Sequence, residues 1–181
     1  NIPTVDLHQF THGSNSEKHE FVKKLGTSFN DVGFVAVTNH GLSPELIDSL
    51  YDLTRDFFQL PLEKKIVYEV PSLHGQRGFT SFGKEHAKGS NAPDLKEFFQ
   101  YGQISDPKGE YPQNIQVPDI KEFNNTFDKA FSAFEKSGSF LLEAIAIYLE
   151  LPNTFFHDYI THGNSILRAI YYPPITTEPE S

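Results

Sequence analysis

The sequence predicts an α+β chain in which short strands and amphipathic helices are interleaved. Three observations carry that reading. Runs rich in β-branched and aromatic residues stand at 2–7, 34–38, 94–102 and 166–172. Between them, Phe and Leu recur at i, i+4 and i+8, the spacing of one buried helix face. Gly, Pro and Asn fall at the joints.

Ile2-Pro3-Thr4-Val5-Asp6-Leu7 alternates and reads as an edge strand, with Pro3 where no ladder donor is needed. Residues 8–16 read as a polar loop. From Ser16 the pattern is helical: Glu17 and Glu20 occupy the first turn, and Phe21, Leu25 and Phe29 form the apolar row. Asp31-Val32-Gly33 stops it. Phe34 to Thr38 is the next strand, and Asn39-His40-Gly41 its turn. Ser43 caps a second helix, Pro44 takes its first position, and Leu46, Ile47, Leu50, Leu53 and Phe57 form its buried face. Pro61 restarts a short helix through Lys65.

Residues 71–93 are broken by Pro71, Gly75, Gly78, Gly83, Gly89 and Pro93 and read as a loop without structure of its own. Loops of that length tend to be functional or disordered. Asp94 to Gly102 recovers a strand, and 106–118 is a second Pro/Gly-punctuated connection. A long helix is expected from Pro118-Asp119. Phe123, Phe127, Ala130, Phe134, Leu141, Ile145 and Leu149 mark its buried side, and Leu142, Ala144 and Ile147 widen it until it is apolar nearly all round. Leu151-Pro152 ends it, Asn153 or Thr154 caps a short helix through Tyr159, and His162-Gly163-Asn164 turns into the last strand. That strand ends at Pro173-Pro174, which cannot continue a ladder.

Composition narrows the function. A chain of 181 residues buries roughly 70% of its unfolded surface, enough for one domain with a real core. A net charge of −9 leaves no basic patch for phosphates, which argues against nucleic acid as a partner. No apolar run approaches the ~20 residues of a membrane span. Zero cysteines exclude disulfides and thiolate chemistry. With no export signal read at the N-terminus, a cytoplasmic location is expected. There is no Met, even at position 1, and the chain stops soon after a strand-like run, so a piece of a longer protein is expected.

Six stretches together resemble a known family. They are Ile2-Pro3-Thr4-Val5-Asp6-Leu7, Gly33 to Gly41, Phe57 to Lys65, Arg77-Gly78-Phe79-Thr80, Asp94 to Phe99, and Leu167-Arg168-Ala169-Ile170-Tyr171-Tyr172-Pro173-Pro174. In this order they resemble the N-terminal region of the isopenicillin N synthase-like, non-haem Fe(II)-dependent oxygenases, across nearly all of the chain. The resemblance implies a distorted double-stranded β-helix (jelly roll) flanked by helices. Residues 1–110 would hold the strand and helix layers with the substrate loop. Residues 111–181 would hold the long central helix and the start of a truncated barrel. It further implies an oxidoreductase that uses Fe(II), 2-oxoglutarate and O₂ to hydroxylate, desaturate or cyclise a small organic substrate. Two alternatives stay open: an Fe(II) oxidase of the isopenicillin N synthase type that does without 2-oxoglutarate, and a non-catalytic binding module.

The family's His-x-Asp pair has no match here, because none of the eight histidines is followed two residues later by Asp. No catalytic residue and no metal ligand is therefore assigned within the chain, and the ligands are expected beyond residue 181. His40 has no partner at ligand spacing and reads as a turn residue. Carried over by position, Tyr172 is expected to donate its hydroxyl to the 2-oxoglutarate carboxylate. Ile170 stands where the plant members have Asn, so one cosubstrate contact is missing. Arg77, Thr80 and Phe82 are expected at the substrate, Arg77 as a bidentate carboxylate partner. Arg168 is expected to pack and pair within the barrel, and Glu97 to be structural.

Overall fold

The computed structural model describes residues 1–85 and 94–174. Six helices, α1 (Leu7–His12), α2 (Asn15–Asp31), α3 (Pro44–Gln59), α4 (Leu62–Lys65), α5 (Phe123–Tyr148) and α6 (His157–Ile160), alternate with five strands. The strands are β1 (Thr4–Asp6), β2 (Ala36–Thr38), β3 (Gly78–Thr80), β4 (Glu97–Gly102) and β5 (Ile166–Tyr171). Among the described residues no helix is long and apolar enough to cross a membrane. The chain divides into two compact units, Asn1–Ile47 with Ser132–Gly163 and Asp48–Phe131 with Asn164–Ser181, so the division falls inside α3 and inside α5.

In the first unit β1 and β2 pair in parallel, Thr4 opposite Ala36 and Asp6 opposite Thr38. Residues 8–12, expected as loop, and Leu7, expected in the first strand, form α1. Asp6 caps that helix by accepting the His8 backbone N–H at 2.9 Å, and Leu7 and Phe10 are buried. The helix was hidden because four of its six residues are polar, so no apolar row spans a full turn. Helix α2 begins with a reciprocal cap: Ser14 Oγ accepts from Glu17 N, and Glu17 Oε2 accepts from Ser14 N at 2.7 Å. Strand β2 starts two residues later than expected, and Phe34 lies 67% exposed before it. Val5, Leu7, Phe10, Phe21, Val22, Leu25 and Ala144 form this unit's core.

The turn at 39–41 has Asn39 at φ 52° and Gly41 at φ 84°, both left-handed. Asn39 Nδ2 donates to Asp6 Oδ1 at 2.8 Å, which ties the turn to the α1 cap. The His40 carbonyl accepts from the buried Ser137 hydroxyl of α5. On this part of α5 the sequence reading needs correction. Phe134, and Leu149 just past the helix end, were expected inside but are 48% and 53% exposed, whereas Ser137 is buried. A hydroxyl bonded to backbone carbonyls is inexpensive to bury, so apolar spacing alone misassigns the face. Helix α6 starts at His157 without a side-chain cap; Asn153 instead donates to Glu143 at 3.3 Å.

In the second unit β3, β4 and β5 form an antiparallel sheet with β4 in the middle. Strand β3 lies inside the stretch expected to lack structure. Its three residues were too few, and too marked by glycine, to show a period. Phe57, Phe58, Tyr68, Phe79, Phe99, Tyr101, Val117, Phe123, Phe127 and Phe131 make a largely aromatic core. Rings meet edge-on, as Phe57 does with Phe99 at 5.0 Å, or stacked, as Phe123 does with Phe127 at 4.4 Å. Helix α5 starts at Phe123 rather than near Pro118, because Glu122 at φ 66° interrupts the chain. Asn124 secures that entry, accepting from Val117 N at 2.8 Å and donating to Ile115 O at 2.9 Å.

Candidate functional site

The sheet of the second unit has two chemically different faces. Residues directly opposite each other in an antiparallel pair share a face. Phe99 opposite Ala169 and Tyr101 opposite Leu167 belong to the aromatic core. Phe98 opposite Ile170 and Gln100 opposite Arg168 lie on the other side, with Thr80 beside Phe98. On β5 that side is open: Arg168 and Ile170 are exposed, while Leu167 and Ala169 pack inward.

Two adjacent tyrosines divide between the faces. Tyr171 follows the core side, its ring stacked on Phe58 at 5.4 Å and 18°. Tyr172 follows β5, where strand alternation would turn it to the other side, and is 65% exposed.

Arg168 is the most constrained side chain on the open face. Its Nε and Nη2 both donate to Gln100 Oε1 at 3.2 Å, and its guanidinium lies 4.5 Å from the centre of the Phe98 ring. Glu85 Oε1 is 3.6 Å from Nη1. Gln100 in turn donates Nε2 to the Gly75 carbonyl. Arg168, expected to pack and pair within the barrel, has Gln100, Phe98 and Glu85 as its partners here. Gln100 was missed, and the signal for it was a single amide between the aromatic residues of β4, opposite the only charge on β5.

The other predicted site residues are placed differently. Thr80 is half-buried on β3, on the same face as Gln100 and Arg168. Phe82 is 47% exposed just after β3. Arg77 is fully buried: Nη1 donates to Gln76 O at 2.7 Å, Nη2 to Asn164 Oδ1 at 2.9 Å, and Nε has no partner among the described residues. Among the described residues it has no carboxylate partner, and burial lowers its pKa from the usual arginine value. The structure thus puts Thr80 and Arg168 on one face, leaves Tyr172 exposed one residue past β5 and buries Arg77 fully.

Glu97 is held in place. Its Oε1 meets Lys65 Nζ at 2.6 Å with both side chains under a tenth exposed, and Lys65 also donates to Phe58 O at 3.1 Å. Asp94 pairs instead with Lys96 at 2.9 Å, so the two carboxylates have separate partners. Two core phenols are equally committed. Burial, then the bond to Asp119, pushes Tyr68 up to about 12. Burial and Asp128 raise Tyr101 likewise. Neither is placed to exchange protons near neutral pH. Among the described residues no three His, Cys, Asp or Glu side chains are grouped to hold a metal, so they offer no iron site of their own.

Interleaved helices and a three-stranded antiparallel sheet are consistent with the N-terminal region of a non-haem dioxygenase. Residues 2–122 match the family described as non-haem dioxygenase in morphine synthesis, N-terminal. The chain belongs to the 2-oxoglutarate–Fe(II) oxygenase family. A 2-oxoglutarate-dependent dioxygenase of Aspergillus rugulosus is 28% identical, over 96% of this chain and 56% of its own length. A solved 2OG-Fe(II) oxygenase family protein of Caulobacter crescentus superposes with a TM-score of 0.83 at 32% identity, over 98% of this chain and 58% of its own. A full-length Neurospora crassa protein, solved in complex with α-ketoglutarate, gives 0.80 at 26% identity, over 95% of this chain and 54% of its own. The chain spans about half the length of the curated relatives it matches. The α+β architecture is the N-terminal part of the double-stranded β-helix fold.

Proposed function

We propose that this chain is the N-terminal region of an Fe(II)- and 2-oxoglutarate-dependent oxygenase that hydroxylates, desaturates or ring-closes a small organic substrate. The observation that carries the reading is the sheet face that Thr80 shares with Gln100 and Arg168, exposed at Arg168 and Ile170 of β5, with Tyr172 next after the strand and 65% exposed. Iron, when bound, supplies the activation of O₂. Its ligands, on this reading, lie beyond residue 181. Tyr172 donates its hydroxyl to the cosubstrate carboxylate. Thr80 and Phe82 border the substrate, and Arg77 reaches a substrate carboxylate only if Gln76 or Asn164 gives way. A cytoplasmic location fits a chain free of cysteine.

One observation favours a second reading, an oxidase without 2-oxoglutarate: position 170 is Ile, which offers no hydrogen bond on the face where Tyr172 lies. The deciding experiment is anaerobic Fe(II) titration of the full-length protein with and without 2-oxoglutarate. A weak visible charge-transfer band that requires both is the expected result. Iron binding without the band selects the second reading, and no iron binding overturns both.

A further inference from the structure

We infer that His8 and His12 form a two-histidine site for a late first-row divalent metal ion, an inference that does not depend on the oxygenase reading. The two residues stand four apart on α1, about one turn, and so share a face of the helix. Their rings are stacked, with centroids 4.6 Å apart and planes 16° from parallel. Both side chains are exposed. Imidazole nitrogen suits Zn²⁺, Ni²⁺ and Cu²⁺, and two histidines at this helical spacing can hold one ion between them.

Thr11 prepares His12 for this role. Its hydroxyl lies 3.1 Å from the Leu7 carbonyl and 2.7 Å from His12 Nδ1. The carbonyl can only accept and the hydroxyl has one proton. Both bonds are therefore made when Thr11 donates to Leu7 and His12 Nδ1–H donates to Thr11. Neutral His12 then carries no proton on Nε2, whose lone pair is free for a metal. An outer bond of this kind, from the nitrogen that does not ligate, is what orients metal-bound histidines. Among the described residues neither His12 Nε2 nor a ring nitrogen of His8 has a hydrogen-bond partner. The nearby carboxylates are already engaged, Asp6 by Asn39 and the His8 backbone, Glu17 by Ser14. The site thus has two protein ligands, in keeping with the absence of any group of three among the described residues. His8 borders an open hollow with Asp6, Asn39 and Ser43, so water can fill the other coordination positions. Helix α1 has six residues, too few to be stable alone, and its turn is what brings the two rings together. An ion held by both rings binds the folded chain in preference to the unfolded one and stabilises it.

The test is calorimetric titration of Ni²⁺ into the full-length protein, first stripped with EDTA and dialysed. The unsubstituted protein is expected to bind one ion more than His8→Gln, His12→Gln or the double variant. Reading the difference between proteins cancels Ni²⁺ bound elsewhere. Ni²⁺ is also expected to raise the thermal midpoint further in the unsubstituted protein than in these variants, whose metal-free midpoints stay unchanged because both side chains are exposed. Cu²⁺ binds the same site more tightly than Ni²⁺. Thr11→Val keeps both imidazoles and weakens the extra event about tenfold, while Thr11→Ser, which keeps the hydroxyl, retains it. His19→Gln, at an exposed imidazole on α2, leaves the event in place. Equal numbers of bound ions in the unsubstituted protein and the double variant overturn the inference. Loss in only one of the two single variants also overturns it, since a lone imidazole then suffices, as does loss in His19→Gln. Unchanged affinity in Thr11→Val overturns the positioning role of Thr11.

Discussion

At the scale of the residue, Gly102 and Arg77 depend on each other. The Arg77 guanidinium occupies the place where a side chain at position 102 would begin, and both are enclosed in the second unit. Gly102→Ala forces the buried arginine to move and is expected to destabilise the protein by about 1–3 kcal/mol, read from urea denaturation. Tyr172 is the opposite case. At 65% exposure its hydroxyl contributes little to folding. Tyr172→Phe in the full-length protein is expected to leave the thermal midpoint unchanged and to weaken 2-oxoglutarate binding about fivefold, the value of one hydrogen bond. Loss of stability without loss of cosubstrate affinity would make the residue structural.

At the scale of the element, helix starts in the first unit are set by side-chain oxygens. Ser14→Ala removes the reciprocal cap of α2 and is expected to cost about 1 kcal/mol, measured by thermal unfolding. The Asp6 carboxyl is held below its usual range first by the Asn39 amide and then by the His8 backbone N–H. Glu17 is lowered by Ser14 in the same way. A carboxylate with a depressed folded-state pKa stabilises fully above its unfolded value and loses that contribution as pH falls through the folded value. Stability is therefore expected to decline below about pH 4, and Asp6→Asn to flatten the acid limb of a pH–stability curve. Caps also show what the sequence revealed. Ser43-Pro44 announced α3, and the Phe row of α2 announced its length, because both signals are local. Helix α1 had only a cap and two apolar residues. Strand β3 owes its existence to pairing with β4, which no three-residue window can show.

At the scale of the whole molecule, composition and motif order were enough to place the chain in its family, and the site was legible only in part. Tyr172 and Thr80 were proposed from position alone, and the structure describes only their placement: Thr80 half-buried on β3, Tyr172 exposed after β5. The contact of Arg168 with Gln100 could not be read from the sequence, since it joins residues 68 apart. The same holds for Lys65 and Glu97, a buried ion pair 32 residues apart. Lys65→Met or Glu97→Leu alone leaves an uncompensated charge in the second unit and is expected to cost about 3–5 kcal/mol, while the double replacement recovers most of the loss. Denaturant midpoints of the three variants check it. The division of Tyr171 and Tyr172 between the two faces has a consequence for how such a chain can change through descent. Strand β5 can exchange residues of like character, but it cannot gain or lose a single position. One inserted residue would turn the partner of Phe58 outward and drive the other phenol into the aromatic interior. Length, more than residue identity, is what lineages carrying this strand are constrained to keep.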